Sequence, residues 1–189
     1  MADSLWAKTT EVFAAEFSDV GEITQVLRIL IRLLLAAVLG FLLGFEREQH
    51  GKAAGVRTHM LVALGSALFV LVPEQGRATS ADMSRVIQGL VAGVGFLCAG
   101  TILKRGRDER HVEGLTTAAG LWMTAAIGMA CGLGRELTAI ISATMALGVL
   151  ALVPRLVALV ERVVGPTAGD PKGSRPHVIT TPDDDRPAR

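Results

Sequence analysis

Residues 114–134 read GLTTAAGLWMTAAIGMACGLG, and no Asp, Glu, Lys or Arg side chain interrupts them. The chain carries 19 basic and 18 acidic side chains, yet four further stretches are also free of them: residues 33–45, 58–72, 86–103 and 137–153. An ionised group at the centre of a bilayer costs at least about 2.5–3.5 kcal/mol. The pattern therefore indicates a chain embedded in a membrane, with its charged groups at the membrane surfaces.

Five transmembrane helices account for these stretches. About 20 helical residues cross the ~30 Å hydrocarbon layer, so the two longest stretches suffice alone. The first reaches this length as residues 26–45 if Arg28 and Arg32 extend towards the head groups. The second reaches it as residues 53–72. The alternative is four spans and one re-entrant segment.

The fifth stretch ends before Pro154, and residues 155–164 extend it as a kinked or interfacial helix. Half of the residues are apolar and glycine is abundant, which suits closely packed helices in a membrane. The predicted fold class is an all-α polytopic membrane helix bundle of about five transmembrane helices, preceded by an amphipathic interfacial helix.

The two ends of the chain differ from this predicted transmembrane domain, residues 26–164. Residues 1–25 predict a short amphipathic helix on the outer membrane surface. Its apolar face would carry Trp6, Phe13, Phe17 and Val20. Residues 165–189 hold five of the seven prolines, and this composition predicts a disordered tail.

Lys and Arg residues are distributed unevenly between the two sides of a five-span chain, six on one side and thirteen on the other. Because loops rich in Lys and Arg stay in the cytoplasm, we expect the N-terminus outside and the C-terminus inside. No cleavable signal peptide is expected, since no basic segment precedes the first apolar run. A net charge of +1 without a basic, aromatic-rich patch predicts no nucleic-acid partner.

Cys98 and Cys131 are expected to be reduced. In the predicted spans Cys98 lies about 18 Å from the outer end and Cys131 roughly 4–5 Å from it, at 1.5 Å per residue. This offset exceeds the ~7 Å that a disulfide allows between Cα atoms. Cys98 is either a small apolar filler or a functional residue.

Three glycine pairs at a spacing of four residues lie on three different spans: Gly40 and Gly44, Gly89 and Gly93, and Gly128 and Gly132. Each pair shares one helix face and lets another backbone approach closely. The pairs predict tight packing within the bundle or the seam of a homo-oligomer. On the first span, small and polar residues also share an arc of roughly 120°. They are Arg32, Ala36, Gly40, Gly44 and Arg47.

Polar residues collect where the predicted spans reach the cytoplasm. We name them the mouth cluster: Glu46, Arg47, Glu48, Arg57, Thr58, Glu113, Gly114, Thr116 and Thr117. Arg57, near the hydrocarbon boundary, needs a partner, and Glu46 or Glu48 is expected to pair with it. Two interpretations stay open. The cluster is an ion-pair clasp, or it is a cation or ligand site in which Glu46, Glu48 and Glu113 offer oxygens.

The sequence contains no recognisable catalytic constellation. Its four histidines are scattered without metal-ligand spacing, at His50, His59, His111 and His177. No carboxylate lies near the midplane of a predicted span, where proton-coupled carriers usually need one. We therefore expect no enzyme and no cofactor.

Four segments, in order, resemble the MgtC/SapB family. They are Gly40-x-x-x-Gly44-Phe-Glu46-Arg47-Glu48, Ala54-Gly55-Val-Arg57-Thr58-His59-Met-Leu-Val-Ala-Leu-Gly65-Ser-Ala-Leu-Phe69, Gly93-Val-Gly95-Phe-Leu-Cys98-Ala-Gly100 and Gly114-Leu-Thr116-Thr117-Ala-Ala-Gly-Leu-Trp122. The resemblance extends over residues 32–153. Carried over by position, it implies functional roles for Glu46, Arg47, Arg57, Thr58, Cys98, Gly114, Thr116 and Thr117.

The resemblance implies a bacterial inner-membrane protein. Proteins similar to this one are associated with growth in low magnesium, survival inside macrophages and restraint of the F1Fo ATP synthase. Magnesium transport is an older assignment in the family. This chain differs in two ways, since relatives commonly carry a basic residue where Glu113 stands, and many have a folded cytoplasmic domain where its proline-rich tail lies.

The lead hypothesis is a non-enzymatic regulator that docks against another membrane complex, such as ATP synthase, under magnesium limitation. The alternative is a transporter or channel for Mg²⁺ or another small ion, with Glu46, Glu48 and Glu113 at its inner vestibule. A purely structural homo-oligomer in the lipid bilayer is the third hypothesis.

Overall fold

The structure is a computed structural model that describes residues 2–16, 22–103 and 113–164. All elements in these ranges are α-helices: α1 (Ala2–Glu16), α2 (Ile23–Gln49), α3 (Val56–Gln75), α4 (Ser80–Leu103), α5 (Leu115–Gly132) and α6 (Glu136–Val164). The all-α class predicted from the sequence is confirmed, and the described residues contain no strand.

Helices α2 to α6 are each long and apolar enough to cross a membrane, which confirms the prediction of five spans. Helix α2 begins at Ile23, three residues before the predicted start, and α6 continues through Pro154 to Val164. Each of the five stretches without charges therefore lies on one long helix, apart from residues 114, 133 and 134 at the ends of α5, and none forms a re-entrant segment. The chain is a multi-pass membrane protein.

The chain divides into two compact units, and the boundary lies after Ala151. The first contains α1 to α5 and the first part of α6. In the second, which begins at Leu152, the structure describes a helical segment up to Val164. The side chains of residues 152–163 are all exposed.

Helix α1 precedes the spans. Its described side chains are exposed, including Trp6 and Phe13, which are 74% and 67% exposed. Phe17 and Val20, predicted on the same apolar face, lie outside the described residues, as does the predicted disordered tail, residues 165–189.

The core of the first unit is built around α3, which contacts α2, α4 and α5. Its buried residues are mostly small: Ala36, Leu39, Leu43, Ala63, Ala67, Ile127, Cys131, Ala139 and Ala143. Lipid chains are as apolar as these side chains, so burial alone gives little drive for helix association. Close van der Waals packing of small residues therefore holds the helices together.

Two glycines of α5 bring its backbone against α3. A Cβ atom at Gly128 would lie 2.3 Å from the carbonyl oxygen of Ala63, and one at Gly132 would lie 2.3 Å from that of Ala67. Real Cβ atoms essentially never approach an oxygen so closely, so no larger residue fits without moving a helix.

Helix α2 approaches α3 from another direction in the same way. A Cβ atom at Gly40 would lie 2.8 Å from the carbonyl oxygen of His59, and one at Gly44 would lie 2.6 Å from the Cα atom of Val56. The small face of α2 identified in the sequence is therefore its contact with α3.

The third glycine pair has no such contact. At Gly89, Gly93, Gly95 and Gly100 of α4, a Cβ atom would meet no atom of the described residues within 4 Å. These four glycines are exposed. At 100° per residue Gly89, Gly93 and Gly100 lie within about 40° of one another, whereas Gly95 lies on the other side of the helix. Helix α4 therefore presents a smooth face of Gly89, Gly93 and Gly100, which we call the α4 glycine face, on the outside of this bundle.

We expect Gly128→Val to destabilise the protein by about 1–3 kcal/mol, the usual range for overpacking a core, because the new side chain must push α5 away from Ala63. Gly93→Val is the matched control, since its side chain enters open space. Thermal unfolding of both variants in detergent, followed by tryptophan fluorescence, measures the difference. Equal stability of the two variants would contradict the helix contact at Gly128.

Candidate functional site

The hairpin between α2 and α3 organises the first part of the mouth cluster. Gly51 has a φ of +63°, and the N–H of Lys52 donates to the carbonyl oxygen of Arg47. Helix α2 therefore ends in a C-terminal cap with a glycine in the left-handed conformation. Five residues later Val56 begins α3. The chain thus reverses within residues 50–55.

Glu48 caps the start of α3. Its Oε2 atom accepts a hydrogen bond of 2.9 Å from the backbone N–H of Val56. A carboxylate is favourable here because the first N–H groups of a helix lack partners within the helix and carry a partial positive charge. A Cβ atom at Gly55 would lie 2.6 Å from this same oxygen, so the cap requires glycine there.

Glu46 and Arg47 form an ion pair within one helix. Nη2 of Arg47 donates to Oε1 of Glu46 at 2.7 Å, and Nε of Arg47 donates to Oε2. Arg47 is 4% exposed, and the Glu46 side chain is 12% exposed. Nδ1 of His50 lies 3.2 Å from Oε1 of Glu46. Both carboxylate oxygens of Glu46 are therefore engaged by the guanidinium.

The expected pairing of Arg57 with Glu46 or Glu48 is wrong. Arg57 is exposed and makes no ion pair with another described residue. The reason is the inward direction of Arg47. Arg47 lies on the same face of α2 as Gly44, which packs on α3, so its guanidinium is buried. A buried cation is costly without a carboxylate partner, and Arg47 therefore pairs with Glu46.

The second part of the mouth cluster lies between α4 and α5. Gly114 has a φ of +93° and precedes α5, and a Cβ atom there would lie 2.9 Å from the carbonyl oxygen of Thr101. The Sγ atom of Cys98 donates to the carbonyl oxygen of Ala118 at 3.1 Å. Both contacts fix the start of α5 against the end of α4.

Cys98 and Cys131 are free thiols, as predicted, and both are buried. Thr117 is also buried, whereas Thr58 is half-buried and Glu113 is exposed. The structure therefore places several members of the mouth cluster in helix contacts.

A cation site made of Glu46, Glu48 and Glu113 does not form in the described part of the chain. No group of three His, Cys, Asp or Glu side chains converges there as a metal ion would require. The two glutamates of α2 are already used, one by Arg47 and one by the N-terminus of α3. Arg47 takes the partner predicted for Arg57, but this ion pair stays within α2, and the polar contact that joins α2 to α3 here is the Glu48 cap.

His59 is a polar residue whose burial the sequence did not predict. It is 1% exposed, and its Nδ1 atom lies 3.0 Å from the carbonyl oxygen of Gly55. Its Nε2 atom has no hydrogen-bond partner among the described residues. His59 and Thr116 line a cavity of about 430 Å³ between α2, α3, α5 and α6.

A second polar centre, at the opposite end of the bundle, was also missed. Nη1 of Arg32 lies 2.5 Å from Oε2 of Glu74 at the end of α3, and it donates to the carbonyl oxygen of Gly132 at 3.1 Å. Nε of Arg32 lies 3.7 Å from Oε1 of Glu136, in the first turn of α6. Arg32 thus joins four helix segments, where the sequence suggested only a side chain reaching for head groups.

Gly134, which lies beside this polar centre, leaves room for the side chain of Arg32. Gly134 has a φ of +67°, and a Cβ atom there would lie 2.3 Å from Nη2 of Arg32. The signal in the sequence was topological, since Glu74 and Glu136 lie at helix ends and Arg32 lies in the half of α2 on the same predicted side of the membrane.

We expect Arg47→Met to lower the free energy of unfolding by about 3–5 kcal/mol, the usual result of leaving one partner of a buried ion pair alone. Arg57→Met is the matched control, with an expected change within about 0.5 kcal/mol for an exposed, unpaired site. Thermal unfolding in lipid nanodiscs measures both. A larger loss for Arg57→Met would restore the pairing inferred from the sequence.

The chain is similar in sequence to several bacterial proteins. The chain is 49% identical over 113 residues to Protein SrpB of Synechococcus elongatus, covering 54% of this chain and 62% of that protein. It is 45% identical over 128 residues to the Putative magnesium transporter YhiD of Escherichia coli K12, covering 64% of this chain and 58% of that protein.

Protein MgtC of Salmonella typhimurium LT2 is 45% identical over 107 residues, which cover 56% of this chain and 44% of that protein. The chain thus spans about half of the length of the relatives it matches. No solved structure matches it significantly. The sequence profile of the MgtC family matches residues 33–159, which include α3, α4 and α5 completely. The chain therefore belongs to the MgtC family.

Proposed function

We propose that this protein is a non-enzymatic regulator in the bacterial inner membrane that acts under magnesium limitation by packing against another membrane complex, such as the F1Fo ATP synthase. The observation that carries the proposal is the α4 glycine face. The link to magnesium in this proposal comes from the family and from the name of the relative from Escherichia coli.

The α4 glycine face supports docking because of what the other glycine pairs do. Gly40 and Gly44 receive α3, and Gly128 and Gly132 also lie against α3. In lipid, such faces attract helices through close backbone packing and weak hydrogen bonds. The face at Gly89 has the same spacing and no helix of the described chain on it, so it is suited to a helix of another protein.

A groove beside this face extends the same surface. A cavity of about 510 Å³ lies between α3 and α4, with Gly65, Gly89 and Gly93 in its lining. Phe69 and Leu97, also in the lining, are 65% and 42% exposed and offer apolar contact. A transmembrane helix with a bulky apolar side chain fits such a groove.

The chemistry of the mouth cluster favours regulation over transport. A Mg²⁺ ion needs several oxygen ligands around it. Here the carboxylate of Glu46 is neutralised by Arg47, and that of Glu48 caps α3. Transport of Mg²⁺ remains the second candidate, favoured by the name of the relative from Escherichia coli.

Orientation and assembly belong to the proposal. The asymmetry of Lys and Arg between the two sides supports an N-terminus outside and a cytoplasmic C-terminus. The α4 glycine face also suits a second copy of this chain, so a homo-oligomer in the bilayer is part of the proposal. A catalytic activity, a cofactor and a nucleic-acid partner are not part of it.

Binding and transport are separated by two measurements on the purified full-length protein. We expect it to co-purify stoichiometrically with ATP synthase from solubilised membranes and to lower ATP-driven proton pumping in vesicles. Gly93→Leu should lose both effects, because the side chain fills the α4 glycine face. Gly148→Leu is the matched control, since a Cβ atom there also meets nothing within 4 Å but lies on α6.

Proteoliposomes test the second candidate. We expect no Mg²⁺ flux above that of empty liposomes loaded with a magnesium-sensitive dye. Sustained flux that disappears in Glu46→Gln would overturn the regulator and support a transporter. Co-purification that survives Gly93→Leu would remove the α4 glycine face from the proposal.

A further inference from the structure

We propose that the cavity beside His59 binds a long-chain fatty acid, with the carboxyl group on Nε2 of His59 and the hydrocarbon chain between α5 and α6. This site is independent of the α4 glycine face and of any regulated complex. It is inferred from an unpartnered buried nitrogen at one end of an apolar cavity.

The imidazole of His59 is held in a defined direction. Its Nδ1 atom lies 3.0 Å from the carbonyl oxygen of Gly55, and since a carbonyl oxygen only accepts, Nδ1 carries the proton. In the neutral ring Nε2 then presents a lone pair. The ring is 1% exposed, so water does not surround this nitrogen.

Leaving such an acceptor without a partner is unfavourable, because a buried polar group loses its hydrogen bonds to water. Each specific case in a folded protein calls for a ligand, a water molecule or a functional role. The described helices offer no donor to Nε2. A donor from outside the described residues is therefore the missing component, and a molecule from the surrounding bilayer can supply it.

The cavity next to this nitrogen is apolar. Its lining comes from α2, α3, α5 and α6, and apart from His59 its only polar side chains are the hydroxyls of Thr116 and Ser142. Met145 and Val149 of α6, at 68% and 60% exposed, border it on the outer surface of the bundle. The cavity therefore opens sideways towards the lipid, and its ligand comes from the bilayer.

The dimensions fit one hydrocarbon chain. Along α5 the lining extends from Thr116 to Met123, which is roughly 10 Å at 1.5 Å per residue. One leaflet contributes about 15 Å of hydrocarbon to the bilayer core. His59 lies in the first turn of α3, so the polar end of the cavity is near the head groups and its apolar end points to the bilayer centre.

The head group follows from the polarity of the polar end. A Cβ atom at Gly120 would lie 3.7 Å from Nε2, so this nitrogen lies beside the glycine surface of α5. A phosphate head group is charged and strongly hydrated, and the lining of the cavity contains no Lys or Arg side chain to pair with it. A carboxyl group is small, and it pairs with imidazole as acid with base or as carboxylate with imidazolium.

Photolabelling of the full-length protein in phosphatidylcholine nanodiscs tests the site. The probe is palmitic acid with a diazirine in its chain, and mass spectrometry locates the label. We expect saturable labelling of the α5 and α6 residues that line the cavity, competed by unlabelled palmitic acid. The acid should compete about fivefold better than its methyl ester, the ratio expected for one net hydrogen bond.

Gly120→Leu is the decisive variant. Its Cβ atom meets only Nε2, at an ordinary contact distance, so the leucine fills the cavity without displacing a helix. We expect this variant to fold and to lose the saturable labelling. Gly93→Leu, in the lining of the other cavity, is the matched control and should keep it. His59→Leu should remove the preference for the acid over the ester.

Three results would overturn the proposal. Labelling that persists in Gly120→Leu would place the probe elsewhere. Equal competition by palmitic acid and its methyl ester would remove the role of Nε2. Equal labelling of the same residues by a diazirine phosphatidylcholine would identify ordinary lipid contact. None of these results depends on whether the protein binds ATP synthase or moves Mg²⁺, so the two proposals fail separately.

Discussion

The close approach of helix backbones to α3 is the constraint on which the rest of this structure depends. Within a bilayer the surrounding lipid competes equally for apolar side chains, so geometry rather than burial selects helix partners. Glycines of α2 and α5 bring both helices against α3. The contact at Gly44 also places the hairpin, so the carboxylate of Glu48 reaches the first N–H group of α3, that of Val56. The polar contacts at this end therefore follow from packing in the membrane.

Much of this architecture follows from the sequence alone. Exclusion of charge from lipid is a property of composition, and it located all five long helices without knowledge of their contacts. Glycine spacing is also visible in a short piece of sequence. It marked the face of α2 at Gly40 and the face of α5 at Gly128, each of which contacts α3. The glycine pair on α4 carries the same pattern but has no partner in the described chain, because the pattern states only that a face is smooth and not which helix covers it.

The partners of charged side chains were harder to predict. Glu46 stands next to Arg47 and eleven residues before Arg57, and the choice between them depends on which arginine the helix contact turns inwards. Arg47 shares a helix face with Gly44, and this common face could be seen in the sequence. That the face is buried, and Arg47 with it, became clear only from the position of α3. The contact between Arg32 and Glu136 joins residues more than a hundred positions apart. Only the arrangement of the helices in space brings them together.

The two ends of the bundle are held in different ways. Arg32 links segments of α2, α3, α5 and α6 through two carboxylates and one carbonyl group, whereas the ion pair of Arg47 stays within α2. Separating these four segments would break both ion pairs and leave the guanidinium of Arg32 without these partners. A single side chain therefore ties one end of four helices together, and its loss would release all of these contacts at once.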